Sequence, residues 1–260
     1  MYNFLFRFTP IRYDDAFIME FSKNLDSFFD ALVRNGLIID GWRNSSVIGD
    51  CYECRVAAYD MHSLEEDNFS TSSRVYLTRL TKMCRQTPQL EYVGINADLE
   101  GSCRCESPSC LVLNADIDAD TSPVLCGDCR RGFPLRRFRL NGKFEDFSAL
   151  LDWYRLYRSF RLQVHDGVGD TFAYMMLHRH DSQLNLRGRK LALLLEESAG
   201  IVVYYYLMQK GAPNSPYCPD CGKPWVSEYP DAIGYDYCCQ DCRLVSSDPP
   251  KKSPYRYGDI

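Results

Sequence analysis

Five of the chain's thirteen cysteines fall in its last 43 residues, in the order Cys218-Pro-Asp-Cys221 and then Cys238-Cys239-Gln-Asp-Cys242. Two C-x-x-C pairs separated by a short loop let two backbone knuckles each offer two thiolates to one tetrahedral zinc. This spacing prescribes a small metal-held unit before any other pattern is considered. Cys218, Cys221 and Cys242 are clear ligand candidates. Cys239 completes a C-x-x-C with Cys242, whereas Cys238 would leave three residues between the pair, so the repeated knuckle favours Cys239. Four thiolates leave no open position for substrate or activated water, and a zinc held this way is structural. Such a site can supply roughly 10 to 16 kcal/mol of apparent binding energy to a unit too small for a core of its own.

A further C-x-x-C, Cys126-Gly-Asp-Cys129, follows Cys103, Cys105 and Cys110. It supplies one pair of a second site, and two of the three preceding cysteines must supply the other. Cys103 and Cys105 are favoured because Cys110 opens an alternating strand and is held away. Cys51, Cys54 and Cys84 read as structural, since Cys51-Tyr-Glu-Cys54 has no second pair nearby. Zinc is the implied cofactor, with two sites expected.

At 260 residues and 45% hydrophobic content the chain can bury a sizeable core. No apolar run approaches the ~20 residues that span a bilayer, and Arg7 and Arg12 break the apolar start, so neither membrane insertion nor secretion is expected. A cytoplasmic location follows, and there clustered thiols bind metal more often than they form disulfides.

Four segments are predicted, in an α+β chain. Residues 1–98 read as strand, helix, two extended segments (37–40 and 51–59), a helix carrying Val75, Leu80 and Met83, and a strand near 90–95. That order is the ferredoxin-like split βαβ pattern. Residues 99–140 form a cysteine-rich β-unit around the strand 111–119, which alternates as a half-buried strand should. Asp116, Asp118 and Asp120 suggest calcium, but Thr121 and Gly127 stand where a calcium loop wants Gly and Glu. Residues 141–212 are helical, with Phe147, Leu150, Leu151, Tyr154 and Tyr157 in one stripe, further helices near 172–177 and 187–198, and a strand at 201–207. Residues 213–260 form the zinc ribbon. No internal repeat is evident beyond two metal units of related spacing.

The features from Asp152 onward go beyond generic ribbon spacing. Asp152-Trp-Tyr, Asp181-Ser-Gln-Leu, Gly188-Arg, Glu196-Glu-Ser-Ala-Gly, Tyr204-Tyr-Tyr-Leu, Cys218-Pro-Asp-Cys221-Gly-Lys-Pro-Trp225 and Cys242-Arg-Leu-Val-Ser stand in that order. Together they resemble a bacterial family of unknown function described as zinc-ribbon-containing. Ser122-Pro, Cys126-Gly-Asp-Cys129 and Pro134-Leu are similar to its middle segment. The resemblance implies a C-terminal zinc ribbon held by Cys218, Cys221, Cys239 and Cys242, a middle pair at Cys126 and Cys129, no known activity, and a nucleic-acid role inferred from the ribbon.

The net charge of −5 opposes a wholly polyanion-binding surface. Residues 130–161 nevertheless carry nine Arg or Lys against three acids. Arg130, Arg131, Arg136, Arg137, Arg139 and Lys143 there interleave with Phe133 and Phe138, the combination that grips phosphates and stacks bases. Nucleic acid is therefore one expected partner. The alternative is a protein partner, with the chain as adaptor or immunity-type protein, docking on an aromatic face of Trp225, Tyr229, Tyr235 and Tyr237. Catalysis is not expected, and no small-molecule substrate is evident. His165-Asp166 and His178-Arg-His180 are the only histidine groupings, and no nucleophile motif or phosphate loop accompanies them.

Overall fold

The computed structural model describes residues 1–115, 122–138, 146–167, 169–209, 216–225 and 234–247. It is an α+β structure with two sheets, and the chain divides into two compact units.

The first unit comprises residues 1–104 together with Ser122, 131–138 and 146–151. Strand β1 (Tyr2–Phe8) alternates, sending Phe4, Phe6 and Phe8 into the core. Helix α1 (Asp15–Arg34) starts where the Asp14 carboxylate accepts the Phe17 amide at 3.2 Å. Its buried stripe of Phe21, Leu25, Phe28, Phe29 and Leu32 has helical spacing. Asn35 caps the end, and Gly36 turns left-handed where a Cβ would stand 2.5 Å from that of Leu135. Strands β2 (Ile38–Ile48) and β3 (Cys51–Ala58) form a hairpin about the left-handed Gly49. Helix α2 (Thr71–Met83), capped by Ser70, packs against α1, and β4 (Gln89–Ile95) closes the sheet.

The strand order is β2-β3-β1-β4 with every pairing antiparallel. Aromatic rings fill the core between sheet and helices, Phe6 meeting Phe28 and Phe29 edge-on with centroids 5.6 and 5.4 Å apart. Two sequence expectations need correction. The second strand runs to Ile48 instead of ending near 40, because the polar residues 43–46 and the exposed Val47 and Ile48 extend a ladder that no apolar alternation marks. Val75 is 44% exposed, and α2 turns Ser73 and Leu80 inward instead.

The second unit comprises 105–115, 123–130 and the described residues from 152 onward. Its sheet has the order β6-β5-β7-β9-β8, from β5 (Leu111–Leu113), β6 (Val124–Cys126), β7 (Val203–Tyr206), β8 (Tyr237–Cys239) and β9 (Leu244–Ser246). The outer pairs are antiparallel, and β7 lies parallel to both β5 and β9. Parallel neighbours need a long crossover. Here α3 (Ser148–Asp166), α4 (Asp170–His178) and α5 (Gln183–Ala199) stand between β5 and β7 in the chain.

The sequence divided the chain at residues 98, 140 and 212. In the structure the segment 99–140, the strand ending the helical segment and the C-terminal segment contribute strands to one sheet. The expected half-buried strand is fully buried at 111–113, since it lies inside this sheet, and residues 116–121 lie outside the described ones. Along β7, Val203 and Tyr205 face α5, while Tyr204 joins Cys110, Val112, Tyr235 and Val245 in a second core.

Candidate metal centres

Two groups of four cysteines converge. The Sγ atoms of Cys103, Cys105, Cys126 and Cys129 lie within 4.8 Å of one another, and so do those of Cys218, Cys221, Cys239 and Cys242. A tetrahedral site with Zn–S bonds of about 2.3 Å has sulfurs about 3.8 Å apart. The Cys221 and Cys239 sulfurs stand 3.6 Å apart, so the all-sulfur donor set and its spread fit zinc.

Left-handed residues build the knuckles. The residue after the second cysteine has positive φ in each of Cys126–Cys129, Cys218–Cys221 and Cys239–Cys242: Arg130 at 62°, Gly222 at 70° and Arg243 at 54°. This turn brings the Arg130 amide to the Cys126 carbonyl at 3.0 Å and the Gly222 amide to the Cys218 carbonyl at 2.9 Å. Glycine adopts such a conformation freely, whereas an arginine needs its surroundings to hold it. The Arg130 guanidinium lies 4.7 Å from the Tyr235 ring centroid, and that of Arg243 reaches both Glu196 carboxylate oxygens at 3.2 and 3.3 Å. Cys126-x-Asp-Cys-Arg130 and Cys239-x-Asp-Cys-Arg243 are thus one motif used twice. The signal that marks the repeat is the shared Cys-x-Asp-Cys-Arg order at 126–130 and 239–243.

Local packing completes the first group. The Gly127 amide donates to the Cys110 carbonyl at 2.9 Å, and a Cβ at Gly127 would stand 2.3 Å from the Cys110 sulfur. Asp128 accepts from the Ser109 amide at 3.0 Å and also from its hydroxyl. These bonds hold its carboxyl below the ordinary range.

The C-terminal group is more open. Cys221 is exposed, while Cys103, Cys126, Cys218 and Cys239 are buried. A backbone hydrogen bond from Lys223 holds the Cys221 thiol below its ordinary value, whereas burial pushes Cys239 up to about 11 and Cys242 well upward. Cys238 precedes Cys239 on β8 and so points to the opposite face. It packs against the core formed by Cys110, Val112, Tyr204, Tyr235 and Val245. Cys110 and Cys238, the cysteines of the second unit outside the two groups of four, therefore share one apolar face of the sheet. Cys54 and Cys84 lie in the core of the first unit, where burial lifts Cys84 to about 11.

Residues 105–208 match a domain of unknown function, DUF2310, and residues 209–250 match a second, DUF8594. The chain is similar to uncharacterised bacterial proteins. One, an uncharacterized protein of Haemophilus influenzae, is 26% identical over 232 residues, covering 81% of this chain and 88% of the relative. Another from the same organism is 28% identical over 165 residues, covering 60% of this chain and 80% of the relative. No solved structure matches. The junction of the two matched domains falls between β7 and β8, yet β7 and β9 are hydrogen-bonded neighbours.

The candidate binding residues are largely committed to the protein itself. Arg136 donates to the Asp60 carboxylate at 2.6 Å. The Arg137 guanidinium lies 4.4 Å from the Phe133 ring centroid and 4.0 Å from the Cys103 sulfur. Arg131 is exposed; Arg139 and Lys143 lie outside the described residues. Phe133 and Phe138, expected to stack on bases, are 2% and 3% exposed and pack edge-on against each other. Of the expected aromatic docking face, Trp225 and Tyr235 are buried, and Tyr237 is half-buried and tilts over Trp225 at 5.4 Å. Tyr229 lies outside the described residues. No helix among the described residues is long and apolar enough to cross a membrane.

Proposed function

We propose that this is a non-enzymatic cytoplasmic protein in which each cysteine group holds one structural zinc, residues 213–260 forming a zinc ribbon. One observation carries the reading: eight cysteines gather into two separate sets of four sulfurs, the sulfurs of each set within 4.8 Å of one another. A closed thiolate shell offers no position for substrate, which favours scaffolding over catalysis. The order β1-α1-β2-β3-α2-β4 with sheet order β2-β3-β1-β4 supports a ferredoxin-like reading of the N-terminal body. Metal analysis of the purified chain tests the scaffold. Two zinc ions per chain are expected, falling to one in Cys126→Ser and to one in Cys221→Ser. Loss confined to Cys221→Ser would refute the first site.

The scaffold serves binding, and the surplus of positive charge across 130–161 supports nucleic acid as the ligand. Burial of Phe133 and Phe138 restricts this to phosphate contacts by arginine, without base stacking. A protein partner is the second reading, favoured because Arg130, Arg136 and Arg137 already have intramolecular contacts. A titration of single-stranded RNA across a salt series decides between them. Affinity that falls steeply with salt and weakens in Arg131→Gln supports nucleic acid; absence of binding at low salt sinks it.

A further inference from the structure

Helix α5 ties down both knuckles of the C-terminal cysteine group. Ser182 caps its start and the left-handed Gly200 ends it. Leu184, Gly188, Leu191 and Leu195 are buried against the sheet side. Arg189 and Glu196 are seven residues apart, two turns, and so project along the same side of the helix. The Arg189 guanidinium meets the Asp220 carboxylate at 2.6 Å, and Asp220 lies inside Cys218-Pro-Asp-Cys221. The Glu196 carboxylate meets Arg243 at 3.2 and 3.3 Å, and Arg243 directly follows Cys242.

Each pair has a further anchor. A Glu196 oxygen also accepts the Val203 amide at 3.0 Å, and Arg243 donates to the Gln240 carbonyl at 2.6 Å inside its own knuckle. The four side chains are between 22% and 35% exposed, so water and salt screen these pairs less than ordinary surface pairs. Their polarity is reversed, cation on helix for one knuckle and anion on helix for the other. This fixes which knuckle meets which end of α5 and holds Arg243 in its left-handed turn.

We propose that Arg189 and Glu196 are positioning residues of the C-terminal metal site, holding its two knuckles at the spacing a single zinc needs and thereby setting how fast the site releases metal. The inference rests on the zinc reading above. Outer partners that orient metal ligands are typically worth about 10- to 100-fold in affinity, which sets the size of the expected effect.

The test uses the full chain loaded with cobalt(II), whose thiolate charge-transfer absorption reports each site as a chelator strips it. Cys221→Ser identifies the phase belonging to the C-terminal group. In Arg189→Gln and in Glu196→Gln that phase accelerates about tenfold or more while the other is unchanged. The exchanged pair Arg189→Asp with Asp220→Arg restores slow release, and Arg155→Gln, at an exposed pair on α3, leaves both phases within twofold. A variant that fails to fold is replaced in the comparison by the other single variant. Unchanged release in both Arg189→Gln and Glu196→Gln overturns the inference while leaving the zinc reading intact. Wild-type protein that takes up no cobalt at the C-terminal cysteines overturns both.

Discussion

The bare Cα of Gly188 faces the indole of Trp153: a Cβ at that position would stand 2.8 Å from the Trp153 Nε1 atom and 2.3 Å from Cε2 of Tyr205. Trp153 is fully buried and its Nε1 donates to the Leu184 carbonyl at 3.1 Å, so the ring cannot withdraw. Gly188→Ala should therefore destabilise the chain despite alanine's higher helix propensity, by about 1 to 3 kcal/mol from overpacking. Urea denaturation of the zinc-loaded protein measures this, and a midpoint at or above wild type would contradict it.

Tyr205 and Asn185 form a closed polar contact inside the same core. The phenol donates to Asn185 Oδ1 at 2.6 Å, while Nδ2 of Asn185 serves the Leu177 and Arg179 carbonyls at 3.0 and 2.7 Å. Tyr205→Phe keeps the ring and strands a buried acceptor, which costs about 1 to 3 kcal/mol. Tyr205→Phe with Asn185→Leu should not recover the loss, because leucine removes the side-chain donor from the Leu177 carbonyl and leaves the Arg179 carbonyl with the Ser182 amide alone. Denaturant midpoints of the single and double variants decide the point.

The cysteine groups differ in access. Cys221 is exposed, whereas Cys103 and Cys126 in the other group are buried. A thiol-reactive reagent added to the native, zinc-loaded protein is expected to modify Cys221 first and to release one zinc per chain before the second. Mass spectrometry of the singly modified species checks the order.

Acid should empty the C-terminal group. Burial raises the Cys239 thiol to about 11, so at neutral pH the metal-free thiol is protonated and zinc must displace that proton. Apparent affinity consequently rises with pH up to about 11, and falls about tenfold per unit of acidification for each proton displaced. Competition with a chelator between pH 6 and 8 reads the slope, and a flat profile would refute it.

Gly127 gives a test at the first group. A Cβ there would collide with the Cys110 sulfur at 2.3 Å and approach the Cys110 carbonyl at 3.1 Å. Gly127→Ala should lower zinc content at Cys126 and Cys129 while the C-terminal group stays loaded. Zinc analysis of this variant reads the total, and the same change in a Cys221→Ser background reads the first group by itself.

The parts of the structure legible in the sequence are those governed by neighbours along the chain. Chelating pairs with one or two residues between them grouped the same eight cysteines that converge in space, and the apolar patterns of 2–8, 17–32 and 187–198 marked a strand and two helices. The exposed half of β2 escaped notice because ladder hydrogen bonds involve only the backbone. The arginine-rich segment misled in a different way. Its composition suits phosphate and base contacts, but composition does not report that Phe133 and Phe138 are interior or that Arg136 meets Asp60.

The sequence by itself determined which cysteines stand close enough along the chain to chelate one metal in pairs, because one or two intervening residues keep two thiols within reach of each other; Cys51 and Cys54 share the C-x-x-C spacing yet stand on strand β3. Only the tertiary structure decided that Cys126 of one set and Cys239 of the other lie on strands of one sheet, since pairing of β5 with β7 and of β7 with β9 joins strands far apart in the chain. It also decided that Cys238 and Cys110 turn to a shared apolar face, and that Arg243 answers to Glu196 on α5. Charge and thiol chemistry are written in each residue, but which of many equivalent partners satisfies them is chosen by packing.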